Sequence, residues 1–315
     1  MDLARTLSYL TLDVISRIGF GEPFGDLRAD ADVDGFLAAG DLAIWLNNYF
    51  MALGLTELVH VPWIFRALGP SERDEGGMGK MVANARRVIE ARIDQGVEGK
   101  SDMLASFMRH GLDKEDLITE ACLQIIAGAD TTASSLRGIM LYLLSHPRVY
   151  RKLQDEVDGA VAEGQVPPFP SVVPDAVARR MPYLQAVIRE GLRMHPPVTN
   201  EVPKRVPDGG DTVSVDGEPV YLPGGTNVGI AVLAMLRRKS VFGEDVEEFR
   251  PERWLAGDEQ AVAAMSRTVD LVFGYGKYQC LGKSIAWTEI GKALFEVSFA
   301  AELGSAAICI SSGPN

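Results

Sequence analysis

With 315 residues, 47% of them hydrophobic, the chain is long enough to bury a large core, as one domain or as two small ones. A net charge of −12 argues against nucleic acid or an anionic membrane surface as the main partner, because both call for clustered basic residues, although it leaves room for a local basic face. Three cysteines, Cys122, Cys280 and Cys309, stand at unrelated spacings without a CxxC pair, which speaks against a disulfide framework and a zinc site and fits a reducing compartment. Leu3, Leu7, Leu10, Val14, Ile15 and Ile18 recur at helical spacing, so the chain opens inside an amphipathic helix. Residues 19–32, with Gly-Glu-Pro-Phe-Gly, read as a loop, and residues 36–58 as a second, mostly apolar helix. His60 beside Trp63 reads as a satisfied histidine rather than a ligand, and the apolar residues around Trp63 as core packing. The uncharged stretch 219–236 is broken by Pro223-Gly224-Gly225, and 42–56 is short and carries Asn47 and Asn48; neither matches a spanning helix of about 20 apolar residues. The first residues lack the basic start and apolar core of a signal peptide.

Residues 71–95 again mix charged and apolar residues at helical spacing, and Gly76-Gly-Met-Gly-Lys80 within them departs from the G-x-x-x-x-G-K-[S/T] pattern of a phosphate loop. A long helix is predicted over 113–145, stopped by His146-Pro147. Two more follow over 148–162 and 183–195, the second ended by Pro196-Pro197. The texture then changes: 212–215, 220–222 and 226–232 are β-branched runs between Gly and Pro signals and predict the strands of one small sheet. Proline-bearing irregular chain is expected from there, through Phe249-Arg-Pro-Glu-Arg-Trp254, to the cysteine loop, and a last helix over 283–299. Long helices, a small sheet and a closing helix describe a mostly α-helical α+β fold, expected as a single domain over residues 1–315.

Three constellations carry chemistry. The stretch Phe273-Gly-Tyr-Gly-Lys-Tyr-Gln-Cys-Leu-Gly282 presents Cys280 just ahead of a helix. Gly276 and Gly282 are expected to adopt φ > 0, so that amide groups turn toward the sulfur, and the positive end of the helix favours thiolate over thiol. Such a thiolate binds a soft metal, with Phe273 shielding it from water; the alternative is one more buried structural cysteine. In mid-helix, Ala127-Gly-Ala-Asp-Thr-Thr132 sets three small residues before an acid and two hydroxyls. Small side chains admit a flat ligand, and Thr131 can bond the carbonyl four residues back and open the helix; a packing patch with a bend fits the hexapeptide equally. Glu190 and Arg193, three apart, share a helix face, as many surface pairs of little energetic value do.

Phe273, Gly276, Cys280 and Gly282, at these offsets, resemble the haem-binding signature of the cytochrome P-450 superfamily, and the wording from Tyr278 to Gly282 is most similar to its fungal pisatin-demethylase-like branch. The resemblance implies a haem whose iron has Cys280 as axial ligand. Tyr278 stands where the family usually has Arg or His for a haem propionate, and offers a hydroxyl donor without charge. The stretch 127–132 resembles the family's oxygen-activating helix, which implies that Asp130 and Thr131 deliver protons during O2 activation. Glu190 and Arg193, with Arg253 of Pro251-Glu-Arg, resemble the family's structural clamp beneath the cysteine loop, and Arg205 falls where the family places a propionate-binding arginine.

The implied activity is haem-thiolate monooxygenation, of the kind used in secondary metabolism. One oxygen atom from O2 would enter a small hydrophobic organic substrate, with electrons from an NADPH-dependent reductase docked on a basic face of Lys277, Lys283 and Lys292. Resemblance also implies the cytoplasmic side of the endoplasmic reticulum membrane. Family members carry further sequence before the point where this chain begins, including a membrane anchor and a helix that contacts the propionates, and a closing β-hairpin after the last helix. Both ends therefore read as truncated or altered. The alternative expectation is a non-catalytic remnant that binds haem weakly or not at all and acts at most as an interaction module.

Overall fold

The computed structural model describes residues 2–55, 61, 71, 73, 74, 76–168, 171–199 and 203–311. His60, Trp63 and the side chain of Cys309 lie outside the described residues. The chain falls into two compact units, Met1–Ser134 and Ser135–Asn315.

In the first unit, α1 (Leu3–Phe20) starts on Asp2, whose carboxylate accepts the Ala4 and Arg5 amides, and ends at Gly21, which takes φ 88° and returns its N–H to the Arg17 carbonyl. Within the predicted loop the single turn α2 (Asp26–Ala29) forms because the Asp13 carboxylate accepts the amides of Gly25, Asp26 and Leu27. Then come α3 (Phe36–Ala52), α4 (Gly77–Gln95), α5 (Met103–Arg109) and the long α6 (Lys114–Ser145). Leu12, Ile15, Phe36, Ile89, Leu104 and Ile125 from five of these helices meet in one core, each worth about 1.5–3 kcal/mol on burial. Periodicity does not reveal α5, which is short and made by a polar contact. Asp102 caps it through the Ala105 amide at 2.9 Å while binding the buried Arg92 through both oxygens at 2.9 Å. The glycines of 76–80 serve close packing: a Cβ on Gly79 would stand 2.0 Å from the Ser71 carbonyl oxygen.

The second unit is organised on α9 (Pro182–Met194), which packs against α7 (Pro147–Ala162), α12 (Glu259–Asp270), α13 (Lys283–Ser311) and a 3-10 turn at Pro251–Trp254. The start of α9 is closed by Glu156 of α7, whose two carboxylate oxygens accept the Tyr183 and Leu184 amides at 2.8 Å each. Gly191 lies flush on Ile139, where a Cβ would come within 2.2 Å of the Ile139 side chain, so close helix approach outweighs the poor helix propensity of glycine. A one-turn α8 (Asp175–Ala178) precedes α9.

The expected single sheet is instead two separate antiparallel pairs among the described residues. A hairpin joins β2 (Asp211–Val215) to β3 (Glu218–Leu222), and β1 (Lys204–Arg205) pairs with β4 (Asn227–Val228) outside it. Asp216 and Gly217, at φ 52° and 88°, make the tight hairpin turn, and Pro223-Gly224-Gly225 then leads the chain away to meet β1. The strand predicted to reach residue 232 stops at Val228, and Val232 opens α10 (Val232–Leu236), followed by α11 (Lys239–Phe242). The stretch expected to be irregular contains α12, capped by Asp258 through the Ala261 amide, with Met265 and Val269 buried. The closing helix α13 runs on past residue 299 through Ser311, as a sequence rich in Ala, Glu and Leu permits. The fold is mostly helical α+β, and among the described residues no helix is long and apolar enough to cross a membrane.

Candidate functional site

The glycine-rich stretch folds as two successive 3-10 turns, Leu271–Phe273 and Gly276–Tyr278, and α13 starts three residues after Cys280. Gly274 and Gly276 take φ 72° and 64°, the left-handed region open to glycine. Gly282 does not, contrary to the expectation from sequence, and the second left-handed residue is Gly274. A Cβ on Gly282 would stand 3.8 Å from the Cys280 sulfur, so this glycine keeps one flank of the thiol clear. The loop closes through the Cys280 amide, which donates to the Phe273 carbonyl at 2.7 Å. Cys280 is exposed, whereas Cys122 is buried in the core of the first unit, where desolvation pushes its thiol up to about 11, the wrong direction for a thiolate ligand.

Phe273 is half-buried between an ammonium and an indole: Lys283 Nζ lies 5.5 Å from its ring centroid, and the Trp287 ring 6.0 Å away. Tyr278 is exposed and is approached by Lys204 and Lys277, each with Nζ 4.8 Å from its ring centroid. Strand β1 thus turns Lys204 to Tyr278. The guanidinium of Arg205 lies instead against Gly225, 3.4 Å from where a Cβ would be. Of the three lysines expected to form a basic face, Lys283 is paired with Asp270 at 3.1 Å.

Asp130 and Thr131 belong to the first unit. The Thr131 hydroxyl donates to the Ala127 carbonyl at 2.7 Å, the predicted back-bond, yet α6 runs unbroken from Lys114 to Ser145, so the expected local opening does not occur. The three small residues divide their tasks. Gly128 packs on α1, where a Cβ would meet Ile15 at 2.6 Å, and Ala129 is buried. Ala127 is exposed in one stripe with Leu123, Ile126 and Asp130, spaced i, i+3, i+4 and i+7. That stripe is an apolar surface ending in a carboxylate beside a half-buried hydroxyl.

Glu190, Arg193 and Arg253 come together as one buried network. Arg193 forks onto both Glu190 oxygens at 2.9 Å, and Arg253 Nε donates to Glu190 Oε1 at 2.9 Å. Sequence reasoning missed two further donors to the same carboxylate: the Arg250 amide at 2.9 Å and Trp254 Nε1 at 3.0 Å. The arginines direct most of their remaining N–H groups to the carbonyls of Leu236, Phe242, Asp245, Val246 and Glu248, and Arg253 also pairs with the Asp245 carboxylate at 3.1 Å. All of these lie in 236–250, so the polar grip is on the segment ahead of the cysteine loop rather than on the loop. Contact with the loop runs through Trp287, whose Nε1 donates to Gln185 Oε1 of α9 at 2.7 Å and whose ring meets Phe273.

The family model for cytochrome P-450 matches residues 1–297. The chain belongs to the cytochrome P-450 family. Among curated proteins it is similar to the cytochrome P-450 monooxygenase ABA1 of Pyricularia oryzae, 41% identical over 94% of this chain and 57% of that protein. It is likewise similar to the aba1 monooxygenase of Botryotinia fuckeliana, 37% identical over 96% of this chain and 58% of that protein. Pisatin demethylase of Fusarium vanettenii is 32% identical over 94% of this chain and 56% of its own length, in keeping with the loop's wording. The chain therefore spans a little over half the length of these relatives.

A P-450 haem fits the donors present. Among the described residues no group of three His, Cys, Asp or Glu side chains could cage a metal, and Cys280 would be a lone soft protein ligand, suited to an iron that a macrocycle also holds. Tyr275 and Leu281 of the same loop expose apolar surface, and Lys204 and Arg205 are cations of the kind that bind propionates.

Proposed function

We propose that this P-450 chain is the haem-thiolate part of a monooxygenase that inserts one oxygen atom from O2 into a small hydrophobic organic substrate. The observation that carries the reading is Cys280, an exposed thiol at the end of a loop held by two left-handed glycines and by its own amide on the Phe273 carbonyl. Thiolate-ligated haem supplies the chemistry of activating O2 toward unactivated C–H bonds. Cys280 holds the iron, and the clear flank at Gly282 leaves the sulfur accessible. Lys204, Arg205 and the Tyr278 hydroxyl receive the propionates, and Phe273 packs beside the ligand loop.

Asp130 and Thr131 relay protons. The Thr131 hydroxyl, which donates to Ala127, orders a water or substrate group beside it, and the exposed Asp130 carboxylate reloads that water from solvent. Electrons arrive from an NADPH-dependent reductase that docks on Lys277, Lys283 and Lys292. The relatives' names, a pisatin demethylase among them, favour an oxidation in fungal secondary metabolism.

Reduced, carbon-monoxide-treated absorption spectra of the haem-loaded chain test the reading. A thiolate-type spectrum is expected in the parent and in Cys122→Ser, and its loss in Cys280→Ser. A thiolate-type spectrum that survives Cys280→Ser would overturn the ligand assignment.

A further inference from the structure

Arg189, one residue before the clamp glutamate, is a cation the clamp does not use. Its guanidinium lies 5.5 Å from the Trp287 ring centroid and makes a long 3.4 Å hydrogen bond to the Gln185 carbonyl. Burial pushes its pKa down, and Asp270 is the charge that pulls it back. Arg189 helps line a cavity of about 570 Å3 together with Arg179, Asp270, Cys280, Lys283 and Trp287. The other two cations on this wall have carboxylates of their own: Arg179 pairs with Asp175 at 2.7 Å and Lys283 with Asp270 at 3.1 Å. Arg189 forms no such pair among the described residues, and its face contact with Trp287 compensates only part of the cost of leaving water. Trp287 is itself fixed by its bond to Gln185, so the guanidinium is held rather than swinging. A half-buried, fixed positive charge without a carboxylate partner among the described residues, in a cavity that Cys280 helps line, has one electrostatic use: it opposes a negative charge that arrives there.

We propose that Arg189, held on Trp287, is a positioning residue whose charge stands opposite the Cys280 thiolate of the haem-loaded protein and raises the reduction potential of the iron. The inference rests on the function proposed above. A positive charge favours the reduced, more negative centre, so removing it favours the ferric form. Two unit charges on one cavity wall, taken as roughly 10 Å apart at an effective dielectric constant near 20, bias an equilibrium by about tenfold once solvent screening is allowed for. For a one-electron couple tenfold is about 59 mV.

Potentiometric titration of the haem-loaded 315-residue chain carries the test, with Arg189→Met, Arg189→Gln and Arg189→Lys. The Met and Gln variants are expected to shift the ferric/ferrous equilibrium about tenfold toward ferric and the Lys variant to recover most of that shift, all three keeping the thiolate-type carbon monoxide spectrum. An unchanged potential in Met and Gln, or a Lys variant that matches Met, overturns the inference. So does failure of both neutral variants to fold while Lys folds, which makes Arg189 part of the scaffold. A parent chain that loads haem without a thiolate-type spectrum overturns the proposed function instead, a result visible before any variant is made.

Discussion

Replacing Glu190 with glutamine keeps the side chain's shape and removes its charge, at a carboxylate that is fully buried and accepts five hydrogen bonds. Arg193 and Arg253, 0% and 3% exposed, would then keep their charges without the anion between them. Removing one partner of a buried ion pair costs about 3–5 kcal/mol. The two pairs share one carboxylate, so their costs do not simply add, but the new amide N–H2 also points a donor at groups that are all donors, a further loss of about 1–3 kcal/mol. The backbone carbonyls around both arginines soften the effect, and the Asp245 carboxylate, 3.1 Å from Arg253, leaves that arginine one anion, so the uncompensated charge is mainly that of Arg193. An overall loss of roughly 5 kcal/mol compares with about 5–15 kcal/mol for the whole stability of a domain, so the variant is expected to lose its cooperative fold or to unfold at far lower urea. Urea unfolding followed by tryptophan fluorescence reads this directly, since Trp254 Nε1 is one of the five donors. Glu115→Gln, which removes the exposed partner of Arg86, is the control and leaves the midpoint unmoved. A Glu190→Gln protein within about 1 kcal/mol of the parent would refute the claim that charge at Glu190, rather than shape, holds 236–254 in place.

Two more outcomes are expected. Glu289 has its carboxyl pushed up to about 8 by burial, from an ordinary 4.5, and its Oε1 has no hydrogen-bond partner among the described residues. A raised folded-state value means the stability it contributes is fully present below 4.5 and is lost as pH rises through 8. Glu289→Gln should therefore flatten the decline of stability between these values, by roughly 5 kcal/mol at pH 9, as urea midpoints across the range would read; parallel curves for parent and variant would remove the buried acid from the account. Thr131→Ala, in haem-loaded protein supplied with a reductase, should keep haem and substrate binding while product formed per NADPH falls and peroxide rises; coupling equal to the parent's would make Thr131 only a packing residue.

Local signals carried much of the fold. Helices α1, α6, α7 and α9 show in the sequence within a residue or two of their observed ends, because apolar periodicity is long in each and proline or glycine marks a boundary. What escaped was made by contacts rather than by pattern. Helix α5 depends on Asp102, which also holds Arg92, and α2 on Asp13 reaching from a different helix. One signal was present and unread: Asp216-Gly217 between β-branched runs announces a two-residue hairpin, which would have separated β2 and β3 from β4. Asp258 before an apolar-periodic run likewise marks the start of α12.

The candidate site divides the same way. Loop wording and the Glu190, Arg193 and Arg253 triad were legible because their spacing is local or matches a family pattern, whereas Lys204 over Tyr278 and Gln185 on Trp287 join residues tens to about a hundred positions apart that no periodicity links. Position on α9 shows why the triad alone misleads about what grips the cysteine loop. At about 100° per residue, Glu190 and Arg193 lie roughly a quarter turn around the helix from Gln185 and Arg189. The first pair faces the carbonyls of 236–250 and the second faces Trp287 and, beyond it, Phe273. One rigid helix therefore presents a scaffold face and a loop face. Stability should follow charge at Glu190, whereas iron potential should follow charge at Arg189, even though the two residues are adjacent in sequence.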